Sequence, residues 1–154
     1  MNTASHKTSQ SHKVLLIEDD ALSVDMARRA AAEGAGLELS VLANVDALLD
    51  WLDGGVAKMK PLPHIILLDL KLPKLDGLAV LRKLRMHAAT RDIPIVVFSA
   101  EYIQTDVLMA YQVGANGFIA KPADQQQFAD FFRDQLSYWL QPRQRELLFA
   151  NRRE

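Results

Sequence analysis

Three acids in a row, Glu18-Asp19-Asp20, follow the apolar run Val14-Leu15-Leu16-Ile17, and a fourth, Asp69, follows His64-Ile65-Ile66-Leu67-Leu68. Ser99 and Ala100 follow a third run, Ile93-Pro94-Ile95-Val96-Val97-Phe98, and Lys121-Pro122 follows Gly117-Phe118-Ile119-Ala120. Carboxylates brought together repel one another, and a divalent cation among them relieves that repulsion. Oxygen ligands with room for water select Mg2+, or Mn2+, over zinc. A lysine and a hydroxyl opposite them supply donors for an anion, so the set could hold a metal and a phosphoryl group together. Each residue also has a plainer reading. Asp20 suits a helix cap as well as a metal, and Phe118 suits a core.

These groups share a site only if the segments before them are strands ending at one edge. The runs are too short for helices and are bounded by charge, as buried strands are. Two weaker strands fit Leu37–Leu42 and Gly117–Ala120. Helical spacing appears near 21–33, 44–53, 76–87, 103–113 and 124–140. The last is the clearest: Phe128, Phe131, Phe132, Leu136, Trp139 and Leu140 stripe one face, and Asp124 with Gln127 makes a capping pair before it. Five strands, each followed by a helix, predict an α/β domain with a doubly wound parallel sheet, which binds ligands at the carboxyl ends of its strands.

Composition narrows the class. The chain has 154 residues, 49% of them apolar and 24% charged, and no cysteine, so thiol chemistry and cysteine-ligated metals are excluded. No apolar run approaches the ~20 residues of a membrane span. The polar residues 1–12 lack the apolar core of a signal peptide, so a cytoplasmic location is expected. The net charge of −1 is an average: residues 1–13 and 141–154 each carry +2, leaving −5 in the body. An acidic body fits a site that handles cations.

The pattern LLIEDD, LLDLKLPKLDG, VVFSA and GFIAKP resembles the receiver domain of two-component response regulators, over roughly residues 12–140. Asp69 lies 50 residues after Asp19, Ser99 30 after Asp69, and Lys121 22 after Ser99. Four motifs in order, each at a predicted strand end, make the resemblance specific. It implies a flavodoxin-like fold with five strands in the order 2-1-3-4-5, an N-terminal tail over 1–11 and a C-terminal helical extension over 141–154. It further implies that Asp69 accepts a phosphoryl group from a phosphohistidine on a sensor histidine kinase. Glu18, Asp19, Asp69 and the Lys71 backbone carbonyl would hold Mg2+, Ser99 and Lys121 would bind the phosphoryl oxygens, and Ala100 would admit the donor. Ser99 and Phe118 would form the switch. Asp76-Gly77 suits the turn into the following helix. No general base for hydrolytic water is evident, which fits a timer rather than a fast phosphatase.

Lys71 and Glu101 overhang the pocket mouth in this family, and an ion pair between them is expected to tune the phosphoryl lifetime. The Gly54–Pro63 connection and the Tyr138-Trp139-Leu140 ending are similar to single-domain regulators that partner bacteriophytochrome-type kinases. The tail places Leu147, Leu148 and Phe149 among four arginines. Together with the face of the fourth helix, fifth strand and fifth helix, it is a candidate homodimer surface. Four arginines on a short tail do not build a helix-turn-helix, so DNA is not an expected partner, nor is a membrane. Two rival readings are a phosphorylation-independent adaptor and an aspartyl-intermediate phosphatase of the haloacid-dehalogenase type. The latter wants a second acid two residues after its nucleophile, where this chain has Lys71.

Overall fold

Central strands of a parallel sheet are covered on both faces, and their sequences are apolar nearly throughout for that reason. The computed structural model describes residues 12–33, 36–55, 62–72 and 75–140. In it β1 (His12–Ile17), β3 (Ile65–Asp69) and β4 (Ile95–Ser99) are buried along most or all of their lengths. The strands β2 (Leu37–Leu42) and β5 (Gly117–Ala120) are more exposed and form the two edges. All five are parallel, in the order β2-β1-β3-β4-β5.

Helices cover both faces. On one lie α1 (Ala21–Glu33) and α5 (Gln125–Asp130), the latter continued by a π turn over Phe131–Gln135 and a last helical stretch, Leu136–Leu140. The α1 helix meets this core with Ala27, Ala30 and Ala31, and α5 fills it with Phe128, Phe131, Phe132, Leu136 and Leu140. Small side chains on α1 bring that helix close to the sheet, and large ones on α5 supply the volume. On the other face α2 (Val45–Asp50, with a π turn Trp51–Gly55), α3 (Gly77–Met86) and α4 (Gln104–Val113) pack Leu48, Trp51, Leu52, Val80, Leu81, Leu84 and Ala110 over the sheet. Each large apolar side chain buried this way contributes about 1.5–3 kcal/mol.

The expected helices all form within a residue or two of their spans. Asp76 caps α3 by accepting from Leu78 N–H at 3.0 Å, as Asp76-Gly77 suggested. Asp124 accepts from Gln127 N–H at 2.9 Å, but the Gln127 amide oxygen takes Ala123 N–H instead of completing the capping pair on Asp124. A short antiparallel pair, Lys71–Leu72 with Leu75–Asp76, was not expected. The tail over 1–11, most of the connection over 54–63, and the extension over 141–154 lie outside the described residues.

Between the turn of Asp69 and α3, the backbone closes tightly. A methyl at Gly77 would run into the Leu70 carbonyl, the residue after the candidate acceptor. Gly77→Ala is therefore expected to shift that loop and cost about 1–3 kcal/mol, the usual scale of overpacking. Thermal unfolding should show it as a lowered midpoint, and an unchanged midpoint would contradict the close approach.

Candidate functional site

Three strand ends bring Glu18, Asp69 and Lys121 into contact. Glu18 continues the β1–β2 ladder, its N–H donating to Leu42 O at 3.2 Å, and Lys121 N–H continues β5 onto Ser99 O at 3.0 Å. The Lys121 Nζ lies 2.6 Å from Glu18 Oε1 and 2.9 Å from Asp69 Oδ2, and 5.9 Å from the centre of the Phe98 ring. Asp69 Oδ1 accepts the Lys71 N–H at 3.1 Å. Glu18 and Asp69 are 1% and 5% exposed, so two carboxylates are held out of water by one ammonium. Burial is the main cause that pushes the Glu18 carboxyl up to about 7, and the Asp69 charge adds to it. Lys121 and the Asp20 N–H pull the other way. Burial also opposes the Lys121 charge, but the hydrogen bonds and charges of Glu18 and Asp69 outweigh it, so its pKa is raised.

The other two acids of the run do different things. Asp20 turns away and caps α1, accepting from Ser23 N–H at 2.9 Å and the Ser23 hydroxyl at 2.7 Å, which lowers its pKa. Asp19 is half-buried and makes no hydrogen bond or ion pair with the described residues. Among the described residues no three acids or histidines are already gathered as a metal cage. Of the two readings open for Asp20, the helix start takes the cap. What does fit a divalent cation is the donor set that is left. Glu18 Oε1 is buried without a well-directed hydrogen bond, Asp19 is uncommitted, and Asp69 faces a cation already, the Lys121 ammonium. All are oxygens, the ligands of a hard cation such as Mg2+ or Mn2+.

The sequence over residues 14–133 matches the model of the response regulator receiver domain. The chain belongs to that family. A methanogenesis regulatory protein, FilR2 of Methanothrix harundinacea, is 30% identical over 82% of this chain and 83% of its own length. The chain spans a smaller part of other relatives: 44% of the DNA-binding regulator RpaA and 59% of the response regulator Rcp1, both of Synechocystis. Among solved structures, the phosphorylated cyanobacterial phytochrome response regulator RcpA superposes with a TM-score of 0.74 at 28% identity, covering 84% of this chain and 94% of that one. The Mn2+-bound form of Rcp1 gives 0.72 at 27% identity, covering 85% and 96%. A bacteriophytochrome response regulator, AtBRR, gives 0.62 at 30% identity over 80% and 91%.

The other candidate residues stand on β4, just after it, and on the neighbouring β5. Ser99 is fully buried, and its hydroxyl donates to the Glu101 carbonyl at 2.8 Å, away from Asp69. Ala100 is exposed beside it. Phe118 is half-buried on β5, packed against the α2–α4 core, and its ring meets Tyr102 edge-on with centres 4.9 Å apart. Nothing in the sequence singled out Tyr102; the contact depends on how the loop after β4 crosses β5.

The expected ion pair between Lys71 and Glu101 does not form. Lys71 Nζ instead lies 3.2 Å from Asp106 Oδ2. Asp106 stands at the third position of α4 and accepts the Ile103 N–H at 2.9 Å. That hydrogen bond, with Lys71 second, lowers its pKa. The helix start holds Asp106 toward the acceptor loop, while Glu101 lies in the turn before it and offers its carbonyl to Ser99. The sequence analysis did not single out Asp106; an acid three residues after the helix-entry position Ile103 is the signal that marks it. Farther from the site, Arg85 ties α3 to the loops around β4 and β5, donating to Ile93 O and Gly114 O at 2.8 Å each and to Asn116 Oδ1 at 2.6 Å.

Proposed function

We propose that this chain is a response regulator receiver that takes a phosphoryl group onto Asp69 from a phosphohistidine of a sensor histidine kinase. The observation that carries the reading is the buried Glu18–Lys121–Asp69 cluster at the strand tips. An Asp69 oxygen attacks phosphorus, the bond from phosphorus to the histidine nitrogen breaks, and the imidazole leaves with that electron pair. A bound Mg2+ or Mn2+, held by Glu18, Asp19, Asp69 and the Lys71 carbonyl, would offset charge on the transferring group. Lys121 moves from pairing two carboxylates to pairing the phosphoryl oxygens. Ser99 turns its hydroxyl from the Glu101 carbonyl to the phosphoryl group, leaving room for Phe118 to move inward. Ala100 leaves the mouth open to the donor. Output passes through α4, β5 and α5 to a partner or a second copy, with residues 141–154 as an added contact.

A bacteriophytochrome-type kinase is the proposed phosphodonor, on the strength of the likeness to the regulators of such photoreceptors. Incubation with acetyl phosphate and Mg2+ tests the phosphoacceptor reading. The intact chain should gain the mass of one phosphoryl group, labile to hydroxylamine as an acyl phosphate is. No gain would favour the adaptor reading.

The Lys71–Asp106 pair takes over the shielding role first given to Lys71 and Glu101. Exposed pairs contribute about 0–1 kcal/mol, so Lys71→Ala should shorten the aspartyl-phosphate lifetime severalfold at most. Asp106→Asn should do the same, and Glu101→Gln should do less. An equal effect of all three would contradict the pairing.

A further inference from the structure

Charges on the outer helices are distributed in two different ways. On α1, Arg29 lies 3.1 Å from Asp25, and on α5 Arg133 lies 2.7 Å from Asp130 and 2.9 Å from Asp134. Those helices neutralise themselves. On α2 and its following turn stand Asp46, Asp50 and Asp53 with no basic residue, and on α3 stand Arg82, Lys83 and Arg85 with no acid. Arg85 turns inward, but Asp46, Asp50, Asp53, Arg82 and Lys83 are all exposed and make no ion pair or hydrogen bond with the described residues. The helix macrodipole accounts for Asp46 in a first turn and Lys83 in a last turn. It disfavours Asp50 and Asp53, which stand at the carboxyl end of α2.

Both helices cover one face of the sheet and share its apolar core, α2 on the β2 side and α3 over β3, with α4 packed against α3 beyond. An acidic helix therefore lies beside a basic one, each with an exposed apolar side chain: Leu49 at 38% and Met86 at 78%. A face with one sign on one half and the opposite sign on the other is complementary to itself when rotated by half a turn. We propose that the α2–α3 face is an isologous interface between two copies of this chain, with α2 of each copy against α3 of its partner. The two-fold axis makes every match twice and brings Leu49 and Met86 together as an apolar centre. The inference goes beyond the phosphoacceptor reading and does not depend on it. It also uses the β2 side of the sheet, opposite the α4–β5–α5 face, so both contacts can be made at once.

Exposed pairs are individually weak and screened by salt, so the association is weak and salt-sensitive. Two full-length variants test it by sedimentation equilibrium, with circular dichroism as a check of folding. Asp50→Lys/Asp53→Lys makes the face basic except for Asp46, and Arg82→Glu/Lys83→Glu makes it acidic. Wild type should self-associate in low salt, about tenfold or more weakly at an ionic strength near 0.5 M, where the Debye length is a few ångströms. Each variant alone should be lighter than wild type, and an equimolar mixture should be heavier than either. The chain carrying all four substitutions should associate as wild type does. Any dimer through α4–β5–α5 adds equally to every sample and leaves these comparisons intact. If a reversed variant unfolds, Arg82→Gln/Lys83→Gln should still weaken association. A wild-type mass indifferent to salt, or a mixture no heavier than its components, would overturn the proposal and leave the two helices as solvated surface or a site for another protein.

Discussion

Lys121→Met is expected to cost about 3–5 kcal/mol of stability at neutral pH, the scale for removing one partner of a buried ion pair. The ammonium lies 2.6 Å from Glu18 Oε1 and 2.9 Å from Asp69 Oδ2, and methionine keeps the apolar stem while removing the charge. Two buried carboxylates then face each other without compensation and must take up a proton or open to water. The loss should be smaller at pH 5 than at pH 8, because protonation relieves it. Mg2+ should restore more stability to the variant than to wild type, since a cation between the carboxylates replaces the one removed. Phosphoryl uptake should fall by about 10²–10³, the usual effect of deleting one charge-stabilising donor. Thermal unfolding with and without Mg2+ checks the first part. An unchanged midpoint would mean that the three groups do not depend on one another.

Glu18→Gln should act in the opposite sense. The folded carboxyl is pushed up to about 7 from its ordinary 4.5, chiefly by burial. Between those values the folded chain holds a proton that the unfolded chain has released, so stability falls as pH rises. The contribution is whole below about pH 4.5 and is lost as pH passes through about 7, on the order of 3 kcal/mol in all at 1.36 kcal/mol per unit. In the presence of a chelator, wild type should therefore lose stability from pH 5 to pH 8, and Glu18→Gln should lose much less. At pH 8 the variant should be the more stable of the two. With Mg2+ the order should reverse, because the ionised carboxylate then has a cation and the amide is a poorer ligand. Denaturant titrations across that pH range measure both. Parallel curves for the two proteins would place the pH dependence elsewhere.

Much of this was legible before any coordinates. Apolar runs of four to six residues located β1, β3 and β4, and the 3.6-residue stripe from Phe128 to Leu140 located α5, because burial on both faces or on one stripe constrains many residues at once. Strand ends followed, and with them Glu18, Asp69, Ser99 and Lys121. Side-chain partners were harder, since they depend on loop paths rather than on periodicity. Asp20 was ambiguous between cap and ligand until the start of α1 placed Ser23 against it. The family's pocket mouth suggests Glu101 as the partner of Lys71, whereas the turn into α4 presents Asp106. The two-residue strands at Lys71–Leu72 and Leu75–Asp76 are too short to leave any pattern. Tyr102 touches Phe118 only because a loop crosses an edge strand, which no spacing records.

The account rests on Asp69 as the group that becomes phosphorylated, with the acids and lysine around it as its support. The most direct measurement is the intact mass of wild type and Asp69→Asn after acetyl phosphate and Mg2+, with circular dichroism confirming that both are folded. Wild type should gain one phosphoryl group and Asp69→Asn none. A phosphoryl group that persists on Asp69→Asn would contradict the assignment of the site.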